Sequence, residues 1–272
     1  MTRLVVIGAA GRMGKRLIAL GLADDAIEIV GAVDVPGSPA IGLDAGTVAG
    51  VAPCGVRIGT DVDAAAMFAN AIIDFSAAES ALANARTAVA NDCGFVLGTT
   101  GLPDADRAAL EALATEGRLI AAPNMSVGVN VLFEIAGQVA RTLGADYDIE
   151  IVEMHHNQKK DAPSGTAVRL GEVCAEAREL DYATQTAHGR EGMVGARPRD
   201  EIGMHTLRGG DVVGEHTVIF ATNGERIELT HRAGSRDTFA MGALRAAKYL
   251  VTAAPGMHSM ADVLNLSKAP SQ

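Results

Sequence analysis

The chain has no tryptophan and little other aromatic content: phenylalanine and tyrosine make up only 3% of its 272 residues. That leaves few platforms on which the bases of a single-stranded nucleic acid could stack. Basic charge is also scarce. Lysine and arginine number 23 against 33 acidic residues, a formal net charge of −10, and no basic stripe of the kind nucleic acid needs runs along the chain. The three cysteines, Cys54, Cys93 and Cys174, lie far apart and in no metal-ligand spacing. They read as buried free thiols of a reducing compartment. No apolar run reaches the length of about 18 residues that spans a bilayer. The N-terminus, "MTRLVVIGAAGRMG", enters a strand at once, without the apolar stretch and cleavage site of a signal peptide. A cytoplasmic protein with no nucleic-acid or membrane partner is expected. Its cationic sites must be local, which suits a small anionic ligand.

What is present is a regular alternation. "RLVVIG" (3–8), "IEIVGAVD" (27–34), "AIIDFS" (71–76), "GFVLGTTG" (94–101) and "RLIAAPN" (118–124) are short apolar runs rich in β-branched residues. Helical stretches separate them, as in a parallel sheet buried on both faces and wound by right-handed crossovers. After Asn124 the pattern changes. A long amphipathic helix (128–143) precedes "DYDIEIVEMHH", which alternates apolar and polar residues, and a further helix starts from Ser164. A polar stretch follows (181–200), then three strand-like runs (201–210, 212–222 and 225–235) with "GG" and "NG" turns, as in a mixed or antiparallel open sheet. The helix 236–251 closes the pattern by returning to the first region.

"VVIGAAGRMGKRL" is strand, glycine turn and helix, with Gly8, Gly11 and Gly14 spaced three apart. A tight turn of this kind lets backbone N–H groups and a helix N-terminus approach a pyrophosphate that any side chain would block. Asp34 ends the next strand, 20 residues after Gly14 and about where a ribose-binding carboxylate belongs. A carboxylate there favours NADH and repels the 2′-phosphate of NADPH. Val35 follows it in place of an arginine, so NADPH is disfavoured without being excluded, since Arg12, Lys15 or Arg16 could compensate. Two further strand ends, "GTTG" (98–101) and "APNMSVG" (122–128), are either ordinary turns or approaches to a nicotinamide and its ribose. The fold class expected is α/β: a Rossmann-like parallel-sheet dinucleotide-binding domain (1–126, completed by 237–272) and an α+β second domain with a mixed open sheet (127–236).

The densest chemistry lies in "EMHHNQKKDAPSGTA" (153–167). A strand exit there gathers His155, His156, Lys159 and Lys160 into one loop, and Ser164 caps a helix that presents Gly165 and Thr166. Lysine and a helix N-terminus suit a small dicarboxylate, and histidine suits proton transfer near neutral pH. A solvated loop with a capped helix is the plainer reading. Zinc is disfavoured, because adjacent residues on a strand point apart and no third ligand is evident, so no metal is expected.

The pattern E-x-H-H-x-x-K-x-D-A-P-S-G-T-A resembles the 4-hydroxy-tetrahydrodipicolinate reductase (dihydrodipicolinate reductase) family. "GAAGRMG", "GTTG", "NMSVGVN", "GDVVGEHTVIF" and "THRAGSRDTFA" fall in that family's order, over essentially the whole chain. The resemblance implies NAD(P)H-dependent reduction of a cyclic dicarboxylate, with loss of water, on the diaminopimelate route to lysine. It implies His155 as proton donor and acceptor, Lys159 as a second proton donor, and His156, Gly165 and Thr166 as holders of the substrate carboxylates. Cofactor contacts are implied for Gly8, Ala9, Ala10, Gly11, Arg12, Met13, Asp34, Gly98, Thr99, Thr100, Ala122, Pro123, Asn124 and Met125, with Arg236 as a further neighbour. Members are commonly homotetramers assembled through the sheet of the second domain, which implies that 127–236 is a substrate-binding and oligomerisation domain. At Gln158 the sequence departs from relatives that carry a third histidine in the loop. An acylating semialdehyde dehydrogenase would need a nucleophilic cysteine in a suitable turn, which none of the three has. A nucleotide sensor without catalysis would keep the glycine turn and Asp34 but has no use for the His155–Lys159 loop.

Overall fold

A computed structural model describes residues 1–266. The chain divides into two units, Met1–Val127 with Arg236–Gln272, and Gly128–Ser235. The sequence pattern put these cuts after residues 126 and 236. The final residues of the expected first domain, 267–272, lie outside the described residues.

In the first unit the strands are β1 (Thr2–Ile7), β2 (Ile27–Val33), β3 (Ile58–Gly59), β4 (Ala71–Asp74), β5 (Gly94–Leu97) and β6 (Arg118–Ala121). Its helices up to that point are α1 (Arg12–Leu22), α2 (Ala45–Ala49), α3 (Val62–Ala66), α4 (Ala78–Ala90) and α5 (Asp104–Leu113). Helix α6 (Val127–Leu143) leads into the second unit, which holds β7 (Asp148–His155), α7 (Gly165–Ala177), α8 (Tyr182–Gln185), β8 (Thr186–His188), β9 (Ile202–Arg208), β10 (Gly214–Thr222) and β11 (Glu225–Ala233). Then α9 (Asp237–Leu250), β12 (Gly256–His258) and α10 (Met260–Leu264) complete the first unit.

The first sheet has seven strands in the order β12-β6-β5-β4-β1-β2-β3, all paired in parallel. Period-two alternation explains why its strands read as unbroken apolar runs. Leu4 and Val6 of β1 pack with Leu17 and Ile18 of α1 and Ala243, Leu244 and Ala247 of α9. Val5 and Ile7 face the other way, into a layer with Ala81, Ala85 and Ala88 of α4 and Leu110 of α5. Both faces are therefore covered, and the closing helix α9 joins the α1 layer. The strand order reverses at β1, between β4 and β2, and a doubly wound sheet leaves a crevice at such a point.

The second sheet has five strands in the order β11-β10-β7-β9-β8. Here β10 runs antiparallel to both β11 and β7, while β9 runs parallel to β7 and to β8, so the sheet is mixed. Asn223–Gly224 is the two-residue turn joining β10 to β11, with Gly224 at φ +96°. One face of this sheet, with Ile149, Ile151, Ile202, Met204, Val218 and Phe220, packs on Leu132 and Ala136 of α6 and Leu170 and Cys174 of α7.

The differences from the sequence pattern lie in the short elements. The polar stretch 181–200 holds α8 and β8, and β3 and β12 are edge strands of two and three residues. Segments so short carry no periodicity. Their pairing is set by the edge they meet, not by their own side chains.

Candidate active site

The glycine turn is built from backbone. Gly8 sits at φ +79°, and a Cβ there would lie 2.7 Å from the Phe75 carbonyl oxygen. A Cβ on Gly14 would lie 2.1 Å from the Gly8 carbonyl oxygen, so α1 packs against the turn only because residue 14 has no side chain. Inside the turn, the Gly8 and Ala9 N–H groups donate to the Val33 carbonyl at 2.9 and 3.0 Å, and Gly11 donates to Gly8 at 3.0 Å. Ala10 donates to the Asp34 carboxylate at 2.6 Å. The N–H groups that a helix start leaves without carbonyl partners are those of its first residues, Arg12, Met13 and Gly14. Ala9 is buried in the core, and its N–H is already used by the Val33 carbonyl.

Asp34 accepts from Ala10 and from its own neighbour Val35, at 2.6 and 2.8 Å. It borders two cavities. One, of about 550 Å³, is lined by Gly8, Gly11, Val35, Thr60, Phe75 and Ser76. The other, of about 610 Å³, is lined by Ala10, Gly11, Lys15, Ser38 and Leu43. Of the basic residues that could offset Asp34, Arg16 is already engaged in a two-point ion pair with Asp237 of α9, at 2.6 and 2.8 Å. Lys15 lines the same cavity as Asp34.

A third cavity of the first unit, about 240 Å³, brings together Thr99, Thr100, Ala122 and Pro123. The Thr99 hydroxyl is buried and has no hydrogen-bond partner. Gly98 admits the Phe75 ring, since a Cβ there would lie 2.1 Å from it. Asn124 accepts from the Ser126 N–H at 2.9 Å, and the Met125 side chain is buried in the core. Arg236 is exposed at the start of α9. A backbone cradle at a helix start, a carboxylate at the end of β2 and a buried unpartnered hydroxyl together fit a dinucleotide.

The second unit carries a different kind of site. Residues 153 and 155 are two apart on β7 and face the covered side of the sheet. Glu153 is fully buried, and four nitrogens meet its two carboxylate oxygens. His155 Nδ1 lies 2.5 Å from Oε2. Arg208 forks onto both oxygens at 2.9 Å, and the Ser164 N–H donates to Oε1 at 3.0 Å. Burial alone would push this carboxyl up. The hydrogen bonds from His155 and Arg208, with Ser164 behind them, outweigh that and hold it at about 2.

Ser164 caps α7, its hydroxyl accepting from the Ala167 N–H at 3.2 Å. The same hydroxyl meets His216 Nε2 at 3.0 Å. His216 is 3% exposed and packs edge-on against His155 with ring centroids 5.2 Å apart. Burial, helped by the nearby His155, lowers its pKa to about 3, so it is neutral at ordinary pH. Its Nδ1 and that of the cross-strand neighbour His231 have no partner.

Lys159 pairs with Asp161 at 2.8 Å, and Arg208 also donates to the Asp161 carbonyl at 2.6 Å. The loop, the carboxylate and the histidine thus form one connected network. His156 is half-buried just past the strand, Gly165 is exposed, and Thr166 sits in the first turn of α7. The sequence reading gave no role to Glu153, Arg208 or His216. For Glu153 a signal existed, its two-residue offset from His155. For Arg208 and His216 the strand register alone makes the contact.

A wound parallel sheet with a glycine turn, joined to a mixed-sheet unit bearing a buried carboxylate–histidine pair, defines a two-domain pyridine-nucleotide oxidoreductase. Comparison with known proteins narrows this. The dihydrodipicolinate reductase N-terminal family matches residues 2–125 and the C-terminal family matches 128–264. The chain is 51% identical over 266 residues to 4-hydroxy-tetrahydrodipicolinate reductase of Citrifermentans bemidjiense, covering 98% of this chain and 100% of that one. It is 52% identical over 267 residues to the enzyme of the same name from Anaeromyxobacter dehalogenans strain 2CP-C, covering 98% of each. Dipicolinate-bound dihydrodipicolinate reductase from Paenisporosarcina sp. TG-14 shares the fold, with a TM-score of 0.76 at 24% identity over 95% of this chain and 97% of that one. The chain belongs to the dihydrodipicolinate reductase family.

Proposed function

We propose that this protein reduces 4-hydroxy-tetrahydrodipicolinate, with loss of water, to tetrahydrodipicolinate in the diaminopimelate route to lysine. The observation that carries this reading is the match of both halves of the chain to one family, with about half of all residues identical to reductases of that name. A reduced nicotinamide held by the first unit would supply a hydride. The chain's own residues do the rest. His155 transfers a proton through Nε2, the ring nitrogen that Glu153 leaves available. Lys159 brings positive charge and a second proton, and is held near the loop by Asp161. His156, just past β7, and Gly165 and Thr166, at the start of the 13-residue helix α7, hold the substrate carboxylates with help from the helix dipole. On the nucleotide side Gly8 to Met13, Asp34, Gly98 to Thr100, Ala122 to Met125 and Arg236 form the contacts.

NADH is the preferred cofactor in this reading. A carboxylate at the end of β2, Asp34, would repel a 2′-phosphate bound beside it, and Arg16 is committed to Asp237. The three free cysteines suit a cytoplasmic enzyme. The uncovered face of the five-stranded sheet, bearing Val152, Met154, Ile219 and a 49%-exposed Leu207, supports assembly into a homotetramer. The test is the initial rate of oxidation of NADH and NADPH, with substrate generated from pyruvate and aspartate semialdehyde. Faster turnover with NADH is expected. Faster turnover with NADPH overturns the reading of Asp34, and no turnover with either overturns the reaction.

A further inference from the structure

Glu153 has no exposed surface, yet four nitrogens lie within hydrogen-bond distance of its two carboxylate oxygens. An ionised carboxylate has about four lone-pair sites, so this one is saturated. Three of the donors, the two Arg208 N–H groups and the Ser164 backbone N–H, can only donate. The fourth partner, His155 Nδ1, is an imidazole nitrogen that either donates or accepts, depending on which nitrogen holds the proton.

From this geometry we infer that Glu153 is a positioning residue: it fixes His155 in the Nδ1–H tautomer and so leaves Nε2 free to give or take the proton. The inference rests on the proton-transfer reading of His155. Each of its surroundings keeps Glu153 in that role. The Arg208 fork fixes the carboxylate plane and neutralises its charge in the buried site. The Ser164 N–H ties it to the cap of α7, so the carboxylate that orients His155 also anchors the helix start. His216 packs edge-on against the His155 ring and bonds to Ser164 through Nε2. A Cβ on Gly214 would lie 3.0 Å from His155 Nε2, so the absence of a side chain keeps that nitrogen uncrowded.

When His155 donates, the proton leaves Nε2 and a neutral ring remains with Nδ1–H on Glu153; accepting a proton reverses this. Either direction requires a permanent acceptor at Nδ1. Glu153→Gln removes it while preserving shape. The amide oxygen can satisfy only one end of the donor set. With that oxygen on Ser164 and Arg208, the amide N–H groups face Nδ1, and the imidazole must move its proton to Nε2. Such a ring cannot become the imidazolium through which the proton passes, as when an orienting aspartate of a Ser-His-Asp triad becomes asparagine.

The experiment uses the full-length enzyme with ¹⁵N-histidine and a long-range ¹H–¹⁵N correlation spectrum, with His155 assigned by the signal lost in His155→Ala. At a pH where its ¹⁵N shifts show a neutral ring, His155 of the unaltered protein should show Nδ1–H, and in Glu153→Gln it should show Nε2–H. Steady-state kcat should fall about 100-fold or more in Glu153→Gln, the scale of a lost general acid–base step, with KM for NADH unchanged. The double variant should be no slower than His155→Ala, because the two residues act through one group. An Nε2–H ring in the unaltered protein overturns the inference. So does a full-speed Glu153→Gln enzyme beside a slow His155→Ala enzyme, which leaves the proton-transfer reading standing. A full-speed His155→Ala enzyme overturns both. Should Glu153→Gln fail to fold, the spectrum of the unaltered protein decides alone.

Discussion

The two units build their sites from opposite materials. In the first, the crevice beyond β1 is made by what is missing. Gly8 and Gly14 give up side chains so that backbone can approach backbone, and the polar groups offered are N–H groups at the start of α1. In the second, the site is made by what is packed in: Glu153, Arg208, Ser164, His155 and His216 fill one buried network with few unpaired atoms. The glycine cradle itself has no side-chain charge to lose and fails by obstruction. A buried charged network needs every partner, because leaving one polar group unpaired there costs about 1–3 kcal/mol.

The largest expected effect tests the obstruction half of this contrast. Gly14→Val would put a Cβ 2.1 Å from the Gly8 oxygen and 2.7 Å from the Ala9 Cα, with only backbone to yield. We expect a loss of about 3 kcal/mol, the upper range for overpacking, and no NADH binding by fluorescence titration. Retained binding would mean that the turn tolerates a side chain and that the two sites differ less than the geometry indicates.

A second expectation concerns acid. Glu153 and Glu150 are both held at about 2, well below the ordinary 4.5, because hydrogen bonds outweigh burial; for Glu150 these come from Arg190, His205 and Arg197. Groups with lowered carboxyl values stabilise the fold above about 4.5, and that contribution disappears as pH falls toward 2. His216 acts earlier in the same direction. Held near 3 by burial, it stays neutral in the fold while the unfolded chain takes up a proton below about 6.5, so stability declines across that window as well. Hydrogen exchange should therefore show β7 and β10 losing protection before β1 and β4 as pH falls from 6.5 to 3. Equal loss in both sheets would break the contrast.

The smallest effect sharpens the cofactor side. The Arg16–Asp237 pair is partly exposed, with side chains 42% and 29% accessible, so Arg16→Met should barely move the thermal unfolding midpoint. It should also leave the NADPH rate unchanged, because the guanidinium is already committed. A fall in NADPH use alone would show that Arg16 reaches the nucleotide.

The sequence showed the two regions unequally. The glycine turn and the layers of the first sheet were legible because their causes are local. Glycine at positions 8, 11 and 14 and alternation along β1 are written in neighbouring residues. The loop from His155 to Thr166 was legible for the same reason, being contiguous. Glu153 stood inside that loop's quoted residues and went without a role, because a strand carboxylate normally signals a solvated face. Arg208 and His216 carried no local mark at all.

The sequence by itself determined which segments bury both faces, where the chain turns sharply enough to cradle a phosphate, and which residues are dense enough in chemistry to form a site. Those properties depend on side-chain volume, periodicity and backbone freedom over a few residues. Tertiary structure alone decided which partner each buried charge meets. The parallel register of β7 with β9 puts Arg208 beside His155, and the antiparallel register of β10 puts His216 opposite Glu153. The strand order of the second sheet thus turns an ordinary-looking glutamate into the fixed acceptor of a histidine. Such pairings join residues 50 or so positions apart by hydrogen-bond geometry, which acts only when the strands are side by side.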